Sequence, residues 1–196
     1  SAKTGIDFEI TFSEQKPATD TIAVNPDNTL FREADGSLLF RPAGHGALLE
    51  NLNDLKADVI FIKNIDNVVP DALKQPTIEY KKALGGLLLW ILEGIEHLDK
   101  QLQENPSEAT IKEALQEMAT YLGFVPSAEF AGSSQEEKIT KIREVLARPT
   151  RVCGVVKNTG EPGGGPFWCQ DAKGNFTLQL VESAQIDMKD EAQKAK

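Results

Sequence analysis

Between residues 71 and 148 the apolar side chains recur every three or four positions; on either side they come in short alternating or continuous runs. That change of period constrains the fold more than any other feature. A period near 3.6 marks helices with one buried stripe, and a period of two marks half-buried strands. The first stripe holds Leu84, Leu87, Leu88, Ile91, Ile95, Leu98 and Leu102 and predicts a helix running to about Glu104. A second helix is expected from Asn105-Pro106, where asparagine caps, proline takes the first turn and Glu108 follows. Its stripe is Ile111, Leu115, Met118 and Leu122, and Gly123 ends it. A third starts at Ser134 with Glu137 as capping-box partner, carries Ile139, Ile142, Val145 and Leu146, and stops at Pro149. Residues 71–148 read as a helical insertion of about three helices.

The flanks read as strands. Residues 6–12 place Ile6, Phe8, Ile10 and Phe12 on one face and polar residues on the other. Residues 30–41 carry an Asp35-Gly36 turn between two apolar pieces, the signature of a hairpin. Residues 59–62, Val-Ile-Phe-Ile, suit a strand covered on both faces, as in a parallel sheet. Residues 152–156 form another apolar strand, and a Lys173-Gly174-Asn175 turn leads to a last one at 177–181. Strand, helix and strand in this order predict a single α/β domain over residues 1–196 with 71–148 inserted.

Composition narrows the function. The chain has 21 Lys and Arg against 30 Asp and Glu, a net charge of −9, and its basic residues are scattered. That argues against nucleic-acid binding, which draws on clustered cations. The longest apolar stretch, residues 83–92, is too short to cross a bilayer and reads as a buried helix, so no membrane partner is expected. Cys153 and Cys169 are not a CxxC pair and the histidines are far apart, so no structural zinc site is expected. Two thiols fit a reducing cytoplasm. The first residues include neither an initiator Met nor an apolar signal core, so the chain reads as a fragment of a longer protein.

Four segments are candidates for chemistry. Pro42-Ala43-Gly44-His45-Gly46 precedes a short helix; glycines there let backbone amides approach an anion or a base edge, though the run equally fits a plain tight turn. Asn64-Ile65-Asp66-Asn67 follows the 59–62 strand, where open α/β sheets bind ligands. A carboxylate there suits Mg²⁺, and it equally suits a turn cap. Lys157 ends the 152–156 strand, where a lysine can neutralise a phosphate or stand in solvent. Glu161 lies in the Gly/Pro loop at 160–166, and Glu182 ends the last strand.

In order, these runs resemble the second half of the eukaryotic-type UDP-sugar pyrophosphorylases, UDP-N-acetylglucosamine pyrophosphorylase among them. Pro42 to Leu49 resembles their Pro-x-Gly-Asn-Gly-Gly-Leu-Tyr loop, and Ile65-Asp66-Asn67 their Val-Asp-Asn. Val155-Val156-Lys157 with Glu161 and Gly163 resembles their Val-Glu-Lys followed by Glu and Gly. Val181 to Ile186 resembles their Val-Glu-Tyr-Ser-Glu-Ile. The chain is also similar, over nearly its whole length, to a bacterial family of unknown function that itself resembles those enzymes.

The resemblance implies part of a nucleotide-diphospho-sugar transferase-like, Rossmann-like mixed sheet. It implies that Gly44, His45 and Gly46 bind the nucleotide, Asp66 a Mg²⁺ ion, and Asn67, Glu161 and Glu182 the sugar. Lys157 would be the catalytic, phosphate-contacting lysine. The implied reaction joins a sugar 1-phosphate to a nucleoside triphosphate, giving a nucleotide-sugar and pyrophosphate. His45 stands where those enzymes carry an asparagine that helps read the base. Their glycine-rich triphosphate loop is absent from these residues, so the chain alone is expected to be inactive and to pair with an N-terminal segment of the same protein. The alternatives are a non-catalytic carbohydrate- or nucleotide-binding module, or an interaction domain using Leu87, Trp90 and Ile91 of the insert.

Overall fold

The computed structural model describes residues 5–160, 163–187 and 189–194. It is mixed α/β, with helices and small antiparallel sheets, and divides into two units, Ser1–Lys63 and Asn64–Lys196.

In the first unit the chain passes a 3-10 turn at Pro17–Thr19 and then folds as a meander. Strand β1 (Thr21–Ile22) pairs antiparallel with β2 (Phe40–Arg41), and the connection is bridged at Val24–Leu30 and Arg32–Leu38. Local chemistry shapes its turns. Asp27 accepts from the Thr29 amide at 3.1 Å and hydroxyl at 2.7 Å, and Asp35 does the same for Ser37 at 2.9 and 2.6 Å. Gly36, at φ 84°, supplies the left-handed residue that the predicted Asp-Gly turn needs. A second 3-10 turn (His45–Leu48) leads into α1 (Leu49–Asp54). No described residue of this unit is buried.

The second unit opens with 3-10 turns at Ile65–Asn67 and Asp71–Leu73, then α2 (Lys74–Glu104) and α3 (Glu108–Tyr121). Short β3 (Phe124–Val125) and α4 (Ala128–Ala131) lead to α5 (Gln135–Leu146). A hairpin of β4 (Gly164–Gln170) and β5 (Phe176–Glu182) follows, then a 3-10 turn at Ser183–Gln185 and α6 (Glu191–Lys194). The sheet order is β3-β5-β4, antiparallel throughout.

The core is helical. Leu98 and Leu102 of α2, Ile111, Ala114 and Met118 of α3, and Ile142 and Leu146 of α5 close on Phe124 and Phe130. The three stripes read from the sequence supply most of it. Only the C-terminal half of α2 is packed this way: Ile91 is buried, whereas Leu87 stays 44% exposed. The capping box at Ser134 and Glu137 is formed. The cap of α3 differs from expectation. Asn105 closes α2 through a backbone bond to Gln101, and Ser107, extended at φ −143°, caps α3 by accepting from the Thr110 amide. Gly123, at φ 54°, ends α3 as expected and has a second role: a Cβ there would lie 2.7 Å from that of Leu178 on β5. Asp171 organises the predicted turn, accepting from the amides of Lys173 at 2.8 Å and Asn175 at 2.9 Å.

Three expected strands are not formed. Residues 6–12, 59–62 and 152–156 belong to no ladder among the described residues. Phe12 is 96%, Ile62 73% and Val156 89% exposed. A strand forms only when a neighbouring strand takes its amides and carbonyls in a ladder, and among the described residues none of these runs joins a ladder. Among the described residues no helix is long and apolar enough to cross a membrane.

Candidate functional site

The Gly44-His45-Gly46 loop is set by the chain on both sides of it. Strand β2 delivers Pro42, and Gly44 is extended (ψ −178°) as the residue before the 3-10 turn, its carbonyl accepting from Ala47 at 3.0 Å. Two amide side chains hold the loop and its helix. With its amide oriented to satisfy both groups, Gln15 donates to the Ala43 carbonyl at 3.0 Å and accepts from the Ala43 amide at 2.9 Å. Asn51 of α1 donates to the Glu14 carbonyl at 2.7 Å. Its own Oδ1 is buried with no partner among the described residues. Lys16 bridges to Asp54 at 2.7 Å and lies 3.9 Å from Glu50. The Asp54 hydrogen bond raises the Lys16 pKa above its ordinary value. A Cβ at Gly44 or Gly46 would meet nothing within 4 Å, so a ligand can reach both backbones.

The other candidates lie in the second unit. Asp66 and Asn67 sit in the 3-10 turn after residues 59–62, and both are exposed. The Asn64 side chain donates to Asp66 at a long 3.4 Å, and the Asn67 amide bonds the Asn64 carbonyl at 3.2 Å. Among the described residues no three His, Cys, Asp or Glu side chains gather as a metal cluster. Asp66 therefore offers one carboxylate to an ion. This donor set fits Mg²⁺ only in its common form, with most ligands from waters and substrate phosphates.

Lys157 is exposed and belongs to no helix or strand. Glu161 lies outside the described residues. Glu182 closes β5 and is engaged locally: its carboxylate accepts from the Gln185 backbone while the Gln185 side chain accepts from the Glu182 amide at 2.8 Å. Beside it, Ser183 donates from its amide at 3.2 Å and from its hydroxyl to the Gly163 carbonyl. Gly164 must be glycine, because a Cβ there would lie 2.4 Å from the Val181 carbonyl. The end of the hairpin thus brings Glu182 next to the glycine-rich loop. No described contact joins Asp66 or Asn67 to Lys157 or Glu182.

Sequence reasoning missed Gln15 and Asn51. The Asn51 bond spans 37 positions and has no local signal. It also missed the ring contact of Trp90 with Tyr121, edge to face at 4.7 Å and 85°. These rings border a cavity of about 310 Å³ between α2 and α3 that Gly94, His97 and Glu117 also line. A second, more polar cavity of about 740 Å³ holds Lys141, Arg148 and Lys173 among several glutamates, with Arg148 5.9 Å from the Phe124 ring centre. It was likewise invisible in the sequence.

No curated protein and no solved structure gives a significant match to the chain. The family model for the Domain of unknown function (DUF4301) matches residues 1–196, and the chain belongs to that family.

Proposed function

We propose that the protein is nucleotidyltransferase-like and binds a nucleotide or nucleotide-sugar together with Mg²⁺, in the manner of the UDP-sugar pyrophosphorylases it resembles. One observation carries the reading. Gln15 fixes Ala43, the residue before the Gly44-His45-Gly46 loop, and Asn51 ties the helix after it to Glu14, while a Cβ at either glycine would meet nothing within 4 Å. Binding residues often lie on loops positioned by a rigid scaffold, and this loop is tied down on both sides. The order of the four motifs along the chain supports it independently.

In this reading His45 meets the base, and Asn67, Glu161 and Glu182 meet the sugar. Asp66 would help hold Mg²⁺, which would supply charge neutralisation when bound. Lys157 neutralises the phosphate that reacts. The reaction belongs to the longer protein that would supply the triphosphate loop: a sugar 1-phosphate oxygen forms the new bond to the α-phosphate as the bond to pyrophosphate breaks, and this chain alone is expected to bind without turnover. The nucleophile is already anionic, so the chemistry rests on positioning and cationic stabilisation, not on a strong base.

Thermal shift with nucleoside triphosphates and nucleotide-sugars, with and without Mg²⁺, tests this. A ligand at 100 times its Kd stabilises by about 2.7 kcal/mol, roughly 5 °C or more for a chain of this size. The reading predicts a Mg²⁺-dependent shift that Asp66→Ala removes. A shift indifferent to both Mg²⁺ and Asp66→Ala points to a non-catalytic binding module. No shift with any nucleotide contradicts the proposal.

A further inference from the structure

We propose that the cavity between α2 and α3 binds a small organic cation, an ammonium group carried on an apolar body. The cavity measures about 310 Å³, a size that suits a small ligand. Core side chains form its apolar wall: Leu98, Met118 and Leu146 are at most 6% exposed. Trp90 of α2 and Tyr121 of α3 add two rings, each held by its edge-to-face contact with the other. Both keep ring surface free, at 52% and 42% exposed. Gly94 also lines the cavity, inside a 31-residue helix where glycine is a poor helix former. No neighbour requires it, since a Cβ there would meet nothing within 4 Å. Its missing side chain helps keep the cavity open.

The polar lining sets the charge of the occupant. Glu93 and His97 stand one turn apart on α2, and Glu117 comes from α3. Among the described residues no Lys or Arg lines this cavity, and neither carboxylate has an ion pair or hydrogen bond. The larger cavity differs here, because Lys141, Arg148 and Lys173 stand among its glutamates. A cavity of one sign repels phosphates and carboxylates. An ammonium is drawn to both carboxylates and to the faces of the rings, whose π-systems attract cations. Its apolar body then covers Leu98, Met118 and Leu146. Glu93, His97 and Glu117 do not gather as a metal cluster among the described residues, so the cation is organic. None of these residues belongs to the nucleotide site, so this inference stands apart from that reading.

An amide NMR titration of the full chain with 2-phenylethylamine, protonated at pH 7, is the test. Saturable shifts are expected at the Trp90 indole N–H and at residues 93–98 and 117–122, with a Kd of about 1 mM or tighter. 3-Phenylpropionate, which puts a carboxylate on a similar body, should bind at least about ten-fold more weakly. Gly94→Leu, which fills the cavity and favours the helix, should abolish binding while the remaining signals confirm folding. Glu93→Gln and Glu117→Gln leave the packing alone and should each weaken binding about three-fold. No shift with up to about 10 mM amine overturns the proposal. So do shifts centred elsewhere, equal affinity for 3-phenylpropionate, or binding unmoved by Gly94→Leu or by the two glutamine substitutions together. Shifts of the same signals on concentrating the protein alone would put a second copy over the cavity, and would overturn it as well.

Discussion

Two regions of this chain carry comparable apolar residues and use them differently. In residues 91–146, Ile111, Met118 and Ile142 are at most 3% exposed. In residues 6–12 and 59–62 the side chains Ile6, Phe8, Ile10, Phe12, Phe61 and Ile62 are all at least 57% exposed. Hydrophobicity alone does not bury a segment. A helix satisfies its own backbone and needs only its stripe covered, which neighbours a few turns away in sequence can do. A strand needs its amides and carbonyls paired by another strand before its side chains can be buried. The helices find partners within residues 91–146. The hairpin of β4 and β5 does so too, because a tight turn supplies each strand with its neighbour. The isolated strand runs do not.

The sharpest way to break this comparison is to cut the same methyl groups from each region. Ile142→Ala, at a site 1% exposed, is expected to cost about 2–5 kcal/mol in denaturant unfolding. Ile62→Ala, at a site 73% exposed, should stay within about 0.5 kcal/mol. Equal losses at the two sites would mean that the 59–62 run is packed after all. Next in size is Gly123→Ala. Its left-handed backbone and the approach to Leu178 together predict a loss of about 2–3 kcal/mol, seen as a lower midpoint with an unchanged slope.

Ser134→Ala removes one half of a formed capping box and should cost about 1 kcal/mol. The smallest expected effect is on pH. Hydrogen bonds from Thr29 and Ser37 hold the carboxyls of Asp27 and Asp35 below their usual 3.8. A carboxyl lowered by folding stabilises above its unfolded pKa, and that contribution is lost as pH falls through the folded value. The two turns of the first unit should therefore loosen below pH ~3.8. The helical core buries no carboxylate among the described residues and should hold longer. Amide chemical shifts of Thr29 and Ser37, followed against those of Ile111 and Met118 on acidification, check the order of loss.

The sequence is most legible where structure is local. The Ser134 capping box, the Asp35-Gly36 and Lys173-Gly174-Asn175 turns and the stripe of α5 involve residues within a few positions of each other. The cap of α3 was misread by two residues because Asn105 and Ser107 are both good cappers, and Asn105 is taken up in ending α2. The half-exposed Leu87 was counted as core because periodicity shows that a helix has a stripe but not how far along it a neighbour reaches. At the candidate site the glycine loop was visible and its support was not. Gln15 and Asn51 act through single bonds across long stretches of chain, which no spacing rule detects.

Hydrogen exchange, read residue by residue with and without a saturating nucleotide-sugar and Mg²⁺, tests the account most directly. Without ligand, the slow amides should lie in the C-terminal half of α2 and in α3 and α5, with residues 7–12 and 59–62 exchanging fast. With ligand, protection should rise at residues 43–48 and leave the helical core unchanged. Slow exchange at 7–12 and 59–62 in the free protein, or a ligand effect that bypasses residues 43–48, would contradict it.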